Sequence, residues 1–212
     1  ASDNNFPFLR RPFSVCDVEG DYFFVMFKIY GEGTLYISRK QDGEKINVLG
    51  PLGNGFNLND NSKTALLVAG GMGSAPFSFL TKIFSDKKEI HTFIGGRSSH
   101  DVIQYGLKNI YISTDDGSLG FKGNVIELLK NKINNFDKSE LKIFACGPTP
   151  MLKALKEFAL NEKIECEVST ECGLACGFGI CQGCPIQSAN DENKFLLVCK
   201  DGPVFNVKDI II

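Results

Sequence analysis

"TALLVAGGMGSAPFSFLTKIF", residues 64–84, runs from a short apolar stretch through a cluster of glycines into a helical segment. Residues 64–70 have the length and composition of a strand buried on both faces. Residues 74–84 read as a helix entered through Pro76, a residue tolerated in a first turn because its missing N–H has no partner there. The pattern then repeats. "EIHTFIGG" (89–96), "NIYIST" (109–114) and "LKIFACG" (141–147) carry the strand signal, whereas "NVIELLKNKI" (124–133) and "TPMLKALKEFALNEK" (149–163) place apolar residues at helical spacing. Strands alternating with helices predict a parallel sheet covered by helices on both faces.

Upstream of this unit the chain reads as β-rich. "DYFFVMFKIY" (21–30) and "KINVLG" (45–50) are expected strands, with "EGT", "DGE" and "PLGNG" as turns. Glycines 50, 53 and 55 lead into the polar stretch "NLNDNSK", which marks a boundary near residue 60. Downstream of Ile164, "ECEVSTE", a cysteine loop and "KFLLVCKDGPVF" form an appendage.

Composition narrows the function classes. A formal net charge of −2 gives no electrostatic case for nucleic acid or for an anionic membrane surface. The apolar runs fall far short of a membrane span, and the first twenty residues lack a signal peptide's apolar stretch. A cytoplasmic location is therefore expected. Thiols stay reduced there, so the eight cysteines read as metal ligands or buried residues rather than as bridges.

The cysteine loop, "ECGLACGFGICQGC" (171–184), has the spacing Cys176-x4-Cys181-x2-Cys184, with Cys199 further on. This is the plant-type [2Fe–2S] pattern with a distant fourth ligand. Glycines 173, 177, 179 and 183 let the chain wrap tightly and turn N–H groups toward sulfur, as a negatively charged cluster requires. Structural zinc is the competing reading, although zinc knuckles usually come as two close pairs and only 181/184 is one here. A disulfide or a redox dithiol is a further alternative. Cys172 is an extra thiol that could replace Cys176 or Cys199 as a ligand.

"VAGGMGSAPF" (68–77) sets Gly71, Gly73 and Pro76 between a strand and a helix, where backbone N–H groups can face a phosphate. An ordinary glycine-rich turn would look similar. "ACGPTPML" (145–152) follows a later strand of the same expected sheet, and loops at carboxyl strand ends are where open α/β folds bind ligands. In "LRRPFSVCD" (9–17), Arg11 offers a charge for a pyrophosphate, but two arginines near an edge strand are commonly just solvated. His91 and His100 read as structural, and no general acid–base pair stands out.

Together, "RRPFSV", "GEGT", "VLGPLGNGF", "GGMGSAP", "TDDGSLGFKGNV", "ACGPTPMLKAL", "CGFGICQGC" and "VCKDGPVF" resemble, in order, the electron-transfer subunits of NAD-dependent dihydroorotate dehydrogenase. The resemblance runs from residue 10 to 205 and is most specific at the cysteines. It implies a ferredoxin-reductase-like architecture: a partial flavin-binding β-barrel (1–60), a parallel-sheet nicotinamide-nucleotide domain (61–163) and a small [2Fe–2S] domain (164–212). By motif match, Arg11, Pro12, Phe13 and Ser14 would hold FAD, with Met26, Phe27, Lys28, Gly33 and Thr34 completing that site. Gly71, Gly73 and Pro76 would meet the phosphates of NAD(H), and Cys146, Gly147 and Pro148 would lie near its ring. Cys176, Cys181, Cys184 and Cys199 would hold the cluster.

The implied function is electron transfer in pyrimidine biosynthesis. Dihydroorotate would be oxidised at the FMN of a catalytic partner subunit in a heterotetramer, and electrons would pass through [2Fe–2S] and FAD to NAD+. Arg97, Ser98 and Ser99 lie where a 2′-phosphate could sit, but the resemblance favours NAD(H). Only ten residues precede Arg11, so the first barrel strands of this family have no counterpart in the sequence. The rival readings are a subunit of a sulfide dehydrogenase or ferredoxin:NADP+ reductase, and a zinc-stabilised nucleotide-binding module without redox function.

Overall fold

The structure is a computed structural model and describes residues 9–212. The first eight residues of the expected flavin-binding unit lie outside the described residues. The chain opens with strands β1 (Val15–Glu19) and β2 (Tyr22–Val25), paired antiparallel, and the short helix α1 (Glu32–Ser38). A seven-stranded sheet follows, built from β3 (Thr64–Gly70), β4 (Glu89–Gly96), β5 (Ile110–Thr114), β6 (Phe121–Lys122), β7 (Leu141–Cys146) and β8 (Glu165–Ser169), with β11 (Val204–Asn206) on its far edge. Helices α2 (Ala75–Phe84), α3 (Val125–Lys132) and α4 (Thr149–Glu162) cover it. Between β8 and β11, β9 (Pro185–Gln187) and β10 (Phe195–Leu197) form a separate antiparallel pair.

The expected parallel sheet is present, in the order β11-β8-β7-β3-β4-β5-β6, and its only antiparallel pair is β11 with β8. Alternation on β3 explains the two layers. Ala65, Leu67 and Ala69 point to a core with Phe77, Leu80 and Phe84 of α2, while Leu66 and Val68 point to the core under α3 and α4. The chain runs outward from β3 to β6, then returns to place β7 on the other side of β3. That reversal opens a crevice at the carboxyl ends of β3 and β7.

Helix α3 begins as its sequence dictates. Asn124 accepts from the N–H groups of Ile126 and Glu127, both at 3.0 Å, while Glu127 reaches back to the Asn124 N–H at 3.2 Å. This reciprocal cap satisfies donors the helix leaves free.

Three local expectations need correction. "KINVLG" forms no strand: Ile46, Val48 and Leu49 are exposed, and among the described residues no neighbouring strand supplies a ladder for them. The strand expected over 21–30 stops at Val25. "EGT" is not a turn but the first turn of α1, where the Thr34 hydroxyl accepts from the N–H groups of Tyr30 and Gly31. Glycine before a helix and glycine in a turn look alike in sequence. Among the described residues, β1 and β2 are the only paired strands before β3.

Candidate cluster and nucleotide sites

The β9–β10 ladder builds the buried half of the cysteine site. Cys184 immediately precedes β9 and Cys199 follows β10 by two residues, so pairing Pro185 with Leu197 brings the two cysteines together. The Val198 N–H closes the register on the Cys184 carbonyl at 2.9 Å, and the sulfurs stand 3.2 Å apart, buried. Burial, together with the neighbouring Cys184 sulfur, pushes the Cys199 thiol up to about 11.

The exposed half is made by the loop. Gly177 and Gly179 adopt left-handed conformations, at φ +82° and +87°, as the glycine content predicts. Gln182 does the same at +58°, which nothing in the sequence signals. The loop thereby turns N–H groups onto Cys176, whose sulfur accepts from Cys181 at 3.4 Å. The N–H groups of Cys181, then Phe178, hold the Cys176 thiol down to about 6, favouring the thiolate that metal binding needs. Burial, followed by the neighbouring Cys184 sulfur, raises the pKa of Cys172. Among the described residues, no three His, Cys, Asp or Glu side chains stand together at metal-holding geometry; the close pair is Cys184 and Cys199. Three thiols on one loop and a fourth after β10, with a backbone N–H directed at Cys176, suit an iron–sulfur cluster by residue type and order. The remaining cysteines, Cys16, Cys146 and Cys166, are buried elsewhere.

At the crevice, two loops interlock. A Cβ on Gly73 would stand 2.0 Å from the Cys146 carbonyl oxygen, and one on Gly147 would stand 2.9 Å from the Gly70 nitrogen. The glycines of "AGGMG" and "ACGP" therefore let the ends of β3 and β7 approach each other. Gly71 needs glycine for a different reason, its φ of +54°. Pro76 sits in the first turn of α2 and Pro148 caps α4, so both loops run into helix N-termini. Burial pushes the Cys146 thiol up to about 12, which keeps it neutral.

Four of the expected flavin residues meet in two pairs. Arg11 packs over Gly33, where a Cβ would lie 2.8 Å from its Nε. Phe13 and Phe27 stack edge-on with centroids 5.7 Å apart, joining "RPFS" to "MFK". Lys28 reaches Asp101 at 3.5 Å, and Asp101 also holds Arg97 at 3.1 Å. Arg97, the candidate for a 2′-phosphate, is thus already paired with a carboxylate. Sequence reading missed Asn54, which joins the stretch before the sheet to the turn after Cys199.

The family model for the iron–sulfur cluster binding domain of dihydroorotate dehydrogenase B matches residues 171–211. The electron transfer subunit of dihydroorotate dehydrogenase B (NAD(+)) from Bacillus velezensis is 38% identical over 223 residues, spanning 100% of this chain and 84% of the relative. The chain belongs to this family. The subunit of the same description from Caldanaerobacter subterraneus subsp. tengcongensis is 35% identical over 207 residues, covering 96% of this chain and 81% of its own. The structure of an NADH-dependent reduced ferredoxin-NADP oxidoreductase superposes with a TM-score of 0.82 at 28% identity, over 96% of this chain and 74% of that one. A ferredoxin NADP+ reductase from Neisseria gonorrhoeae shares the fold, with a TM-score of 0.53 at 19% identity over 72% of each chain. The resemblance drawn from the motifs is borne out, and with it the fold class, the oxidoreductase function and the set of [2Fe–2S], FAD and NAD. The zinc-stabilised module gives way to the iron–sulfur match. Among the described residues no helix is long and apolar enough to cross a membrane.

Proposed function

We propose that this chain is the electron-transfer half of a cytoplasmic heterotetramer whose catalytic partner oxidises dihydroorotate at FMN. The cluster is held by Cys176, Cys181, Cys184 and Cys199 in a unit spanning 164–212. FAD lies against Arg11, Pro12, Phe13, Ser14, Met26, Phe27, Lys28, Gly33 and Thr34 in unit 1–60. NAD(H) lies over unit 61–163, with its phosphates at Gly71, Gly73 and Pro76 and its ring near Cys146, Gly147 and Pro148. A [2Fe–2S] cluster supplies one-electron transfer, and FAD with NAD supplies the exchange between single electrons and hydride.

The protein's own contribution is to bind and position. The observation that carries the reading is the cysteine site, where buried Cys184 and Cys199 touch at 3.2 Å and the loop's N–H groups face the Cys176 sulfur. The glycine loops interlock beside Pro148 and Met151 and run into two helix N-termini, whose free N–H groups suit a nucleotide's phosphates. Cys146 stays protonated at neutral pH and offers neither a nucleophile nor a base. His91 is occupied by Glu89 at 2.7 Å. The sequence offers no general acid–base pair for removing a proton from a pyrimidine, and this reading therefore puts the substrate on the partner. Phe178 and Ile180 project from the cysteine loop, 47% and 74% exposed, and form the apolar surface on which that partner docks.

The test is a reconstitution. The isolated chain should pass electrons from NADH to a dye, yet form no NADH from dihydroorotate and NAD+. Adding the FMN-carrying subunit should restore that reaction. Dihydroorotate-dependent NADH formation by the chain alone would overturn the division of labour.

A further inference from the structure

We infer that Asn54 is a positioning residue that fixes the fourth cluster ligand. The inference rests on Cys199 being that ligand. Cys199 sits in a tight turn: the Asp201 N–H donates to the Leu197 carbonyl at 2.7 Å, and the Asp201 carboxylate accepts from the Leu197 N–H at 2.7 Å. The turn's exit presents three consecutive carbonyls, and Asn54 takes all of them. Its side-chain amide donates to Lys200 and to Asp201, each at 3.1 Å, and its backbone N–H donates to Gly202 at 2.6 Å. Its own carbonyl accepts from Val204 at 3.3 Å.

The neighbours of Asn54 are shaped to the same contact. Gly53 has φ +71°, and a Cβ there would stand 2.3 Å from the Gly202 oxygen, so only glycine allows the approach. Leu52 reaches the other cysteine segment, with its Cδ1 3.8 Å from where a Gly177 Cβ would be. One short stretch, far from the cysteines in sequence, therefore touches both segments that carry the ligands. Lys200 directly follows Cys199. Holding the Lys200 carbonyl restrains the backbone that follows Cys199, and with it the position from which the sulfur is presented. Asparagine suits this position because its amide carries two donors at one point, whereas aspartate would set a carboxylate against two carbonyls.

The test uses the full chain purified anaerobically with its cofactors. Asn54 is exposed and outside both apolar cores, so replacing it leaves the fold standing. Two readouts are taken, the rate of iron release to a ferrous chelator and the electron paramagnetic resonance signal of the reduced cluster. Asn54→Ala loses two side-chain hydrogen bonds and should release iron about tenfold faster, with shifted g-values. Asn54→Asp keeps the volume but reverses the polarity, and it should release iron at least as fast. Wild-type behaviour of Asn54→Ala in both readouts, or of Asn54→Asp alone, would overturn the assignment. A wild-type chain that holds no [2Fe–2S] cluster would overturn the cluster reading itself, and the inference with it.

Discussion

Asp60 and Lys88 pair at 2.7 Å inside the protein, their side chains 8% and 3% exposed, and the Ser62 hydroxyl and carbonyl also accept from Lys88. Burial raises the carboxyl pKa of Asp60, but the bonds from Lys88 and Ser62 outweigh it, and the net shift is downward. A carboxylate with a depressed folded pKa adds stability above its unfolded value of about 3.9. That stability is lost as the pH falls through the lower folded value. Asp60→Asn should therefore be less stable at pH 7 by about 3 kcal/mol, because it leaves a buried ammonium unpaired. Its stability curve should meet the wild-type curve in acid. Denaturant unfolding at a series of pH values checks this, and parallel curves that never converge would contradict it.

Among the elements, the interlock of the two glycine loops carries the sharpest consequence. Gly73→Ala would drive a methyl into the Cys146 carbonyl, a backbone atom with nowhere to move. The variant should lose NADH binding by at least about tenfold, since separating the loops moves the N–H groups we propose to meet the phosphates. Equilibrium titration with NADH measures this, and unchanged affinity would place the nucleotide elsewhere. These elements were legible because their signals are local. β4 matches the run 89–96, and α3 lies within the helically spaced run 124–133. The misses lie where local signals are ambiguous or where contacts span the chain. "KINVLG" has strand composition but no ladder to join, and the glycines of "GEGT" open a helix. The role of Asn54 depends on carbonyls 146 and 147 positions away, which no window of sequence contains.

For the whole molecule, the three expected units are stitched together. β8 and β11, from the span proposed to carry the cluster, complete the sheet of the span proposed to bind the nucleotide. Lys142 on β7 pairs with Glu167 on β8 at 2.6 Å, and Glu167 also accepts from the Asn57 N–H at 2.9 Å. At the other end, Lys82 of α2 holds Asp17 of β1 at 3.0 Å. Electron transfer between fixed centres needs such a frame, and the cluster proposed for the cysteine loop is the centre on which the account turns. The most direct test is therefore the visible spectrum and metal content of anaerobically purified protein, read beside two variants. The account predicts a red-brown chain with about two irons and two sulfides, bleached by Cys176→Ser and retained in Cys172→Ser. A colourless wild-type protein containing one zinc, or bleaching by Cys172→Ser and not by Cys176→Ser, would contradict it.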